Sequence, residues 1–344
     1  MVSMKDIARE CGVSVATVSK ALNGQDDISQ DTKEKVREAA QRMGYYPNLA
    51  ARALKTKKTH NIGVLFADEA HSGLTHEYFS SVLDSFKVAT EERGYDITFI
   101  NPNVGRQEMS YLEHCRYRGI DGIIVACVDH ENLDVSELIS SDIPAVTIDY
   151  VYHNCTSVVS DNVTGMEDLV NYIVSLGHRD IAYIHGQLAS AVTKDRLASF
   201  YNTLESLEIE VKEGFLRTAD YLDVSEAEKI TKELLALKNK PTCIMYADDT
   251  ALIGGLNAIR GMGLEVSKDV SVAGYDGSKL SQILEPRLTT IKQDTKKIGE
   301  LAAKELIRKI EEPKRAVTKH IVVPGKLLIG NSVATPEYNF TKNT

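Results

Sequence analysis

From Asn61 onward, short runs of β-branched and aliphatic residues alternate with amphipathic segments that are long enough for helices. The predicted strands are "NIGVLFA", "YDITFI", "DGIIVAC", "AVTID", "DIAYIHG", "TCIMYA" and "VSVAGYD". Predicted helices between them cover Tyr78 to Arg93, Val163 to Leu176, Arg196 to Leu207 and Ala251 to Met262. Since this alternation is typical of parallel βαβ units, the sequence predicts an α/β protein.

The alternation of strands and helices restarts after "TSVVSDN". We therefore predict two similar α/β lobes, with the late segment "LTTIKQD" crossing back between them. Ligands of open α/β sheets bind beyond the carboxyl ends of the strands. Two lobes that face each other therefore predict a ligand cleft between them.

The first 47 residues follow another pattern, that of a small all-α head with three short helices. A serine precedes each predicted helix and a glycine ends it, in the pairs Ser3 and Gly12, Ser14 and Gly24, and Ser29 and Gly44. The first two helices, joined by a tight turn at Gly12, fit a helix-turn-helix with Ala8 at the crossing and Val18 packed between them. An ordinary helical hairpin would explain these apolar positions equally well.

Polar residues on the second helix favour the DNA-binding interpretation over the plain hairpin. Ser14, Thr17 and Ser19 offer short hydroxyl donors for phosphate oxygens, and Lys20 lies near them. The net charge of −9 is also unevenly divided: residues 1–60 carry 11 Lys/Arg and 7 Asp/Glu, whereas the remainder carries 29 and 42. A basic head on an acidic body indicates that the head alone meets a polyanion.

Composition excludes several classes of protein. No segment reaches the roughly 20 apolar residues of a membrane span, and "MVSMKDIARECG" lacks the apolar region of a secretory signal, so we expect a cytoplasmic protein without a membrane partner. Five scattered cysteines without a CxxC pair predict neither disulfides nor a zinc site. We expect no metal and no cofactor.

Candidate catalytic groups have simpler explanations than catalysis. Asp26 and Asp27 lie in a polar turn, and Asp248 and Asp249 precede a helix whose dipole favours carboxylates. The stretch "GGLNAIRGMG" lacks the strand-to-helix order of a nucleotide loop, and His71, His76 and Glu77 have no recognised metal spacing. The sequence therefore predicts a protein that is not an enzyme.

At this point the chain resembles the lactose/galactose repressor family of bacterial transcription regulators. The resemblance is carried by "IARECGVSVATVSKALNG", "YPNLAARALKTKKTHNIGVLF", "RLASF", "YADD" and "VSVAGYDGSKLSQILEPRLTTIKQD". It implies a helix-turn-helix DNA-binding domain at 1–47, a hinge helix and linker at 48–60, and a periplasmic-binding-protein-like core at 61–334. This core would bind an effector and dimerise, and 335–344 would form a polar tail.

The resemblance also implies which residues meet double-stranded operator DNA. Val15, Ala16 and Lys20 take the family's base-reading positions, and Leu54 that of the hinge leucine that enters the minor groove. The other residues implied in DNA binding are Ser14, Thr17, Ser19, Asn23, Asn48, Ala51 and Lys55. Many relatives place Arg where this chain has Lys20, which cannot give a bidentate fork to guanine.

For the effector, the resemblance implies a cleft with several carboxylates. Asp149, Arg196, Asp248 and Asp276 would surround the ligand, with Tyr221 at the family's aromatic position. Tyr78, Phe79 and Gln293 complete the implied set. Relatives commonly carry Asn where this chain has Asp248, so three acids against one base predict a neutral, hydroxyl-rich sugar. An alternative is that Asp248 pairs with a cation elsewhere and never contacts the ligand.

The expected function is a transcriptional repressor of sugar-utilisation genes that binds a pseudo-palindromic operator as a homodimer. No leucine heptads occur in the C-terminal "VATPEYNFTKNT", which predicts a dimer rather than a tetramer. Alternatives are a sugar-binding protein without a DNA role, or a regulator that responds to a purine or a partner protein.

Overall fold

The structure, a computed structural model, describes residues 2–46, 58–66, 73–104, 107–129 and 131–336. The chain divides into two compact units, Met1–Thr59 and His60–Thr344. The predicted hinge residues Asn48, Ala51, Leu54 and Lys55 and most of the C-terminal tail lie outside the described residues.

The described part of the first unit contains three helices, each capped as its sequence predicts. Helices α1, α2 and α3 run over Met4–Cys11, Val15–Leu22 and Gln30–Arg42. The carboxylate of Asp6 accepts hydrogen bonds from the backbone N–H and hydroxyl of Ser3, while Ser14 and Ser29 accept from the backbone N–H of Thr17 and Thr32. Small and aliphatic side chains fill the centre: Ile7, Ala8, Cys11, Val18, Ala21, Val36, Ala39 and Ala40.

In the second unit the numbering of the helices continues and the numbering of the strands begins. Helices α4 to α12 run over Glu77–Glu91, Tyr111–Arg118, Leu133–Ile139, Asn162–Ser175, Ala191–Ser206, Val224–Leu235, Asp249–Gly261, Lys279–Ile283 and Thr295–Glu311, and a 3-10 turn covers Gly73–Thr75. Strands β1 to β14 run over Asn61–Phe66, Asp96–Ile100, Asn103–Val104, Gln107–Glu108, Gly122–Ala126, Ala145–Ile148, Thr156–Ser160, Ile181–His185, Leu216–Thr218, Cys243–Tyr246, Ser271–Ala273, Thr290–Lys292, His320–Val323 and Lys326–Leu328.

Two parallel sheets form the two predicted lobes. The first lobe has the strand order β13-β7-β6-β5-β1-β2, and the second has β11-β10-β8-β9. In the second sheet Ile244 pairs with Ala182 on one side and Val272 on the other. The central strands of both sheets are buried along their length, which explains their continuous apolar runs.

The chain passes between the lobes three times. It leaves the first lobe after β7, returns to it after β12, and leaves again between β13 and β14. Strands β12 and β14 pair antiparallel at the crossing, and α12 packs on α4 in the first lobe. The crossing segments connect the lobes next to the predicted cleft.

All seven predicted strands of the second unit are confirmed, as β1, β2, β5, β6, β8, β10 and β11. The segment "TSVVSDN", predicted as the boundary between the lobes, also contains a strand. Its first residues form β7, which pairs with β6 in the first lobe. Helix α8 begins at Ala191, five residues before the predicted Arg196, since the Ser190 side chain accepts from Thr193 N–H and caps it. Among the described helices, none is long and apolar enough to cross a membrane.

Candidate functional site

Helix α2 presents its predicted base-reading residues to solvent. Val15 is 41% exposed although it is aliphatic, and Ala16, Lys20 and Asn23 are also exposed. Val18 and Ala21, on the other side of the helix, are completely buried. An exposed valine on a short helix, next to small and polar side chains, is suited to contact with a thymine methyl group in a major groove.

The polar side chains of α2 are partly engaged at its ends. The hydroxyl oxygens of Ser14 and Thr17 lie 2.9 Å apart, and Asn23 Nδ2 donates to the Ser19 carbonyl at 2.7 Å. Lys20 Nζ forms an ion pair with Asp27 in the loop that follows the helix. The capping residues at both ends of the helix are therefore held by local hydrogen bonds.

A cleft between the two lobes of the second unit encloses a cavity of about 510 Å³. The first lobe lines it with Thr75, His76, Glu77, Tyr78 and Ser81, and the second with Leu222, Asp249, Thr250, Asp276, Gly277, Ser278 and Lys279. Lys292, Gln293 and Thr295 of the crossing segment complete the lining. The cleft lies where the carboxyl ends of parallel strands predict a ligand.

Two carboxylates enter this region from opposite lobes in unusual backbone conformations. Asp149 directly follows β6 with φ +57°, and Asp276 follows β11 with φ +99°. Side chains other than glycine rarely adopt these angles, and such residues cluster at functional sites. Burial raises the pKa of both carboxyl groups, and the charge of Asp149 raises the pKa of Asp276 further. The two acids are therefore close enough to interact.

Arg196 is the cation that faces these acids, and it is only 3% exposed. Its Nε donates to Asn162 Oδ1 at 2.8 Å, and its Nη1 donates to the Ala247 carbonyl at 3.0 Å. Its Nη2 lies 3.8 Å from Asp276 Oδ1, while Gln293 Nε2 donates to that oxygen at 2.7 Å. These contacts fix the guanidinium plane and leave Nη2 directed toward the acids.

Asp248 and Asp249 have different environments although they are adjacent. Asp248 caps α10: its Oδ1 accepts from the N–H groups of Thr250 and Ala251 at 2.9 and 2.7 Å, and its Oδ2 accepts from Leu222 N–H at 2.9 Å. Asp249 lines the cavity and is 2% exposed, and burial raises its pKa to about 8. Its Oδ2 accepts from Ser278 N–H at 2.7 Å, and its Oδ1 has no hydrogen-bond partner among the described residues.

The predicted aromatic residues occupy different places. The hydroxyls of Tyr221 and Thr193 lie 2.9 Å apart, and the Tyr221 ring covers Gly186, where an added Cβ would lie 2.4 Å from it. Tyr78 is buried next to Asp149, and burial followed by the charge of that acid raises its pKa. Phe79 instead packs against the first lobe, with its ring centroid 5.8 Å from that of Phe66.

Comparison with known proteins decides the family. The pattern described as "Bacterial regulatory proteins, lacI family" matches residues 3–48, and the "Periplasmic binding protein-like domain" matches 170–333. The probable HTH-type transcriptional repressor ExuR of Bacillus subtilis is 32% identical over 321 residues, which cover 93% of this chain and 95% of that protein. The chain belongs to the lactose/galactose repressor family of bacterial transcription regulators.

Other members of this family match over a similar length. The HTH-type transcriptional repressor PurR of Vibrio parahaemolyticus is 28% identical, over 91% of this chain and 93% of that protein. A solved structure of the lac repressor dimer, bound to operator and the anti-inducer ONPF, superposes with a TM-score of 0.82 at 26% identity. That match covers 97% of this chain and 99% of the lac repressor chain, so the architecture of helix-turn-helix head and two-lobed core is that of the family.

Five residues that line the cavity are not predicted as ligand contacts from the sequence: His76, Glu77, Asp249, Lys279 and Lys292. Asp249 is the first residue of α10 and closely follows the carboxyl end of β10, which in parallel sheets is where ligands bind. No cluster of metal-ligating side chains occurs in the part of the chain that the structure describes.

Proposed function

We propose that this family member is a cytoplasmic repressor that binds a pseudo-palindromic operator as a homodimer, and whose DNA affinity depends on a neutral sugar in the cleft. The observation that carries the ligand assignment is the pair Asp149 and Asp276, half-buried carboxylates from opposite lobes that both lie near Arg196, with Asp276 in the cavity wall. A ligand that contacts both lobes changes the stability of their closed arrangement relative to their open arrangement. This shift is the physical basis of allosteric control.

The carboxyl groups around Arg196 favour a neutral ligand over an anionic one, while Lys279 and Lys292 line the cavity farther along the cleft. Asp149 and Asp276 are half-buried at the cleft, Asp249 is buried with its pKa raised to about 8, and Arg196 is the buried cation next to Asp276. A phosphate or carboxylate ligand would add negative charge next to these acids in a poorly solvated site, which is costly. Sugar hydroxyls instead donate to carboxylates and accept from the guanidinium and from Gln293.

The role assigned to Asp248 changes within this proposal. Three backbone N–H groups already occupy its two oxygens, so we assign it to holding α10 and the Leu222 backbone at the cavity wall. Asp249 takes its place as the carboxyl group that lines the cavity. Phe79 supports the Tyr78 ring, whose centroid lies 5.0 Å away, rather than contacting the ligand itself.

DNA recognition is proposed from the exposed face of α2. One such helix covers half a site, and two-fold symmetry of a dimer would place the second about one helical turn away. The base-reading residues would be Val15, Ala16 and Lys20, with Ser14, Thr17, Ser19 and Asn23 at the phosphates. Asn48, Ala51, Leu54 and Lys55 are proposed from sequence to complete the contact in the minor groove.

A two-stage experiment tests the proposal. Thermal-shift screening of neutral sugars, sugar phosphates and purines identifies the ligand, and operator binding is then measured with and without each hit. We expect a stabilising neutral sugar that changes operator affinity, and light scattering should give the mass of a dimer at micromolar concentration. Tight binding of a phosphate or purine, with no response to any neutral sugar, would contradict the ligand assignment. Equal affinity for random and promoter DNA at moderate salt would contradict the operator function.

A further inference from the structure

The loop between α2 and α3 places an acid next to the proposed base-reading lysine. Lys20 Nζ contacts Asp27 Oδ2, and the two side chains are 45% and 52% exposed. Both therefore remain open to a further partner while they contact each other. Asp27 belongs to no DNA-contacting set assigned above.

The chain on both sides of Asp27 is anchored to the rest of the first unit. The N–H of Gln25 donates to the Lys20 carbonyl at 3.1 Å after the positive φ of Gly24, which turns the chain back along α2. Ile28 packs against the buried centre of the first unit, and Ser29 caps α3. The carboxylate is therefore held beside the last turn of α2 rather than placed by a long free loop.

An acid at a DNA-facing surface weakens contact with phosphates, so it contributes nothing to general DNA affinity. In the major groove a G·C pair presents the acceptors guanine N7 and O6 beside the donor cytosine N4, a pattern that no other pair reproduces. An ammonium group and a carboxylate held side by side are complementary to that sequence of acceptors and donor. The lysine alone would match guanine less specifically, since it cannot form a bidentate fork.

We propose that Lys20 and Asp27 act together as one reading unit for a G·C base pair, in which Lys20 donates to guanine and Asp27 accepts from cytosine N4. This inference rests on the proposed operator function. It makes Asp27 a specificity-determining residue of this protein. The pair also neutralises Lys20 in the absence of a matching base pair, which lowers affinity for DNA of other sequence.

The test uses the full chain and DNA that it selects itself. Duplexes are enriched from a random library by the wild-type protein, and the base pair read by Lys20 is defined as the position at which Lys20→Ala loses its preference. Fluorescence anisotropy then compares Asp27→Asn with the matched control Asp26→Asn. Both variants remove one negative charge from the same loop, but Asp26 has no ion pair to Lys20 among the described contacts.

We expect Asp27→Asn to lower the preference for G·C at that position severalfold, because an amide oxygen accepts from cytosine N4 more weakly than a carboxylate and no longer holds Lys20 in an ion pair. It should also bind random DNA more tightly, with the slope of log affinity against log salt steeper by about 0.9, because Lys20 becomes available to one more phosphate. Asp26→Asn should retain the preference. In the Lys20→Ala background, Asp27→Asn should change the salt slope far less than in the wild type.

If Asp27→Asn keeps the wild-type preference at every position of the enriched sequence, or if Asp26→Asn loses as much, the reading unit does not exist and the operator function stands unaffected. If the wild-type protein enriches no common sequence, the proposed operator function fails and this inference fails with it. The two failures are thus separated by the behaviour of the wild type alone.

Discussion

The guanidinium carbon of Arg196 lies 3.6 Å from the ring centroid of Tyr275, so the buried cation next to Asp276 is stacked on an aromatic face. Both residues are buried, and a desolvated cation–π contact contributes about 2 kcal/mol. The same guanidinium donates to Asn162 and to the Ala247 carbonyl in its plane. The side chain that would bind the ligand is therefore ordered before any ligand arrives.

This stacking gives the first prediction. Tyr275→Leu should weaken binding of the sugar identified by screening by about tenfold, because the guanidinium loses the surface that fixes its plane. Tyr275→Phe should bind nearly as the wild type, since it keeps the ring and loses a hydroxyl without a hydrogen-bond partner among the described residues. Calorimetry measures both, and equal weakening in the two variants would show that the ring face is not what matters.

The carboxylate of Asp276 supports a second prediction. Asp276→Ala should weaken the sugar by about tenfold or more, since a hydrogen bond to a charged group contributes roughly 1.5–3 kcal/mol. Asp168→Ala, an exposed position on α7 of the same lobe, is the control and should bind normally. Unchanged calorimetric affinity in Asp276→Ala would remove this residue from the site.

Gly186 allows a steric test of Tyr221. A Cβ at Gly186 would lie 2.4 Å from the Tyr221 ring, so Gly186→Ala should displace that ring and weaken sugar binding. Gly261→Ala is the matched control, because nothing lies within 4 Å of the new methyl group at the end of α10. The control should bind normally and unfold at an equal or higher temperature. A Gly186→Ala protein with wild-type affinity would argue against a role for Tyr221.

Asp249 predicts a dependence of stability on pH. Its pKa in the folded protein is about 8, above the ordinary 3.8, so the folded state holds a proton that the unfolded state releases. The stability that this bound proton contributes is fully present at pH values below 3.8, and it is lost as pH rises from there to about 8. Asp249→Asn cannot ionise, so the wild type should lose free energy of unfolding relative to Asp249→Asn between about pH 4 and 8, with the difference constant above that range. Urea unfolding of both proteins, with Asp168→Asn as control, measures this difference, and parallel curves would contradict it.

The hinge prediction rests on sequence, since Leu54 lies outside the described residues. A hinge helix this short needs a groove to fold against, so Leu54→Ala should weaken operator binding severalfold or more. Sugar affinity of the DNA-free protein should remain nearly that of the wild type. Equal operator affinity in the mutant and the wild type would refute the coupling role of Leu54.

Local patterns in the sequence were sufficient for much of the fold. Helix α2 could be predicted because its signals, Ser14 before it and Gly24 after it, act within a few residues of the helix itself. The central strands could be predicted because burial on both faces requires continuous apolar runs. The uneven charge between the head and the rest of the chain is a property of composition alone. The family followed from motifs spread over nearly the whole chain.

Tertiary structure decided what these local signals do not encode. Strand β13 joins the first sheet beside β7, about 160 residues earlier in sequence, and no short-range pattern specifies such a pairing. Of the adjacent acids, Asp248 turns its oxygens to backbone N–H groups whereas Asp249 faces the cavity, because Leu222 and Ser278 approach them from distant segments. Asp27 likewise meets Lys20 only through the turn at Gly24. Sequence spacing determines which residues share an element, but the direction of each polar group depends on the partners that folding brings to it.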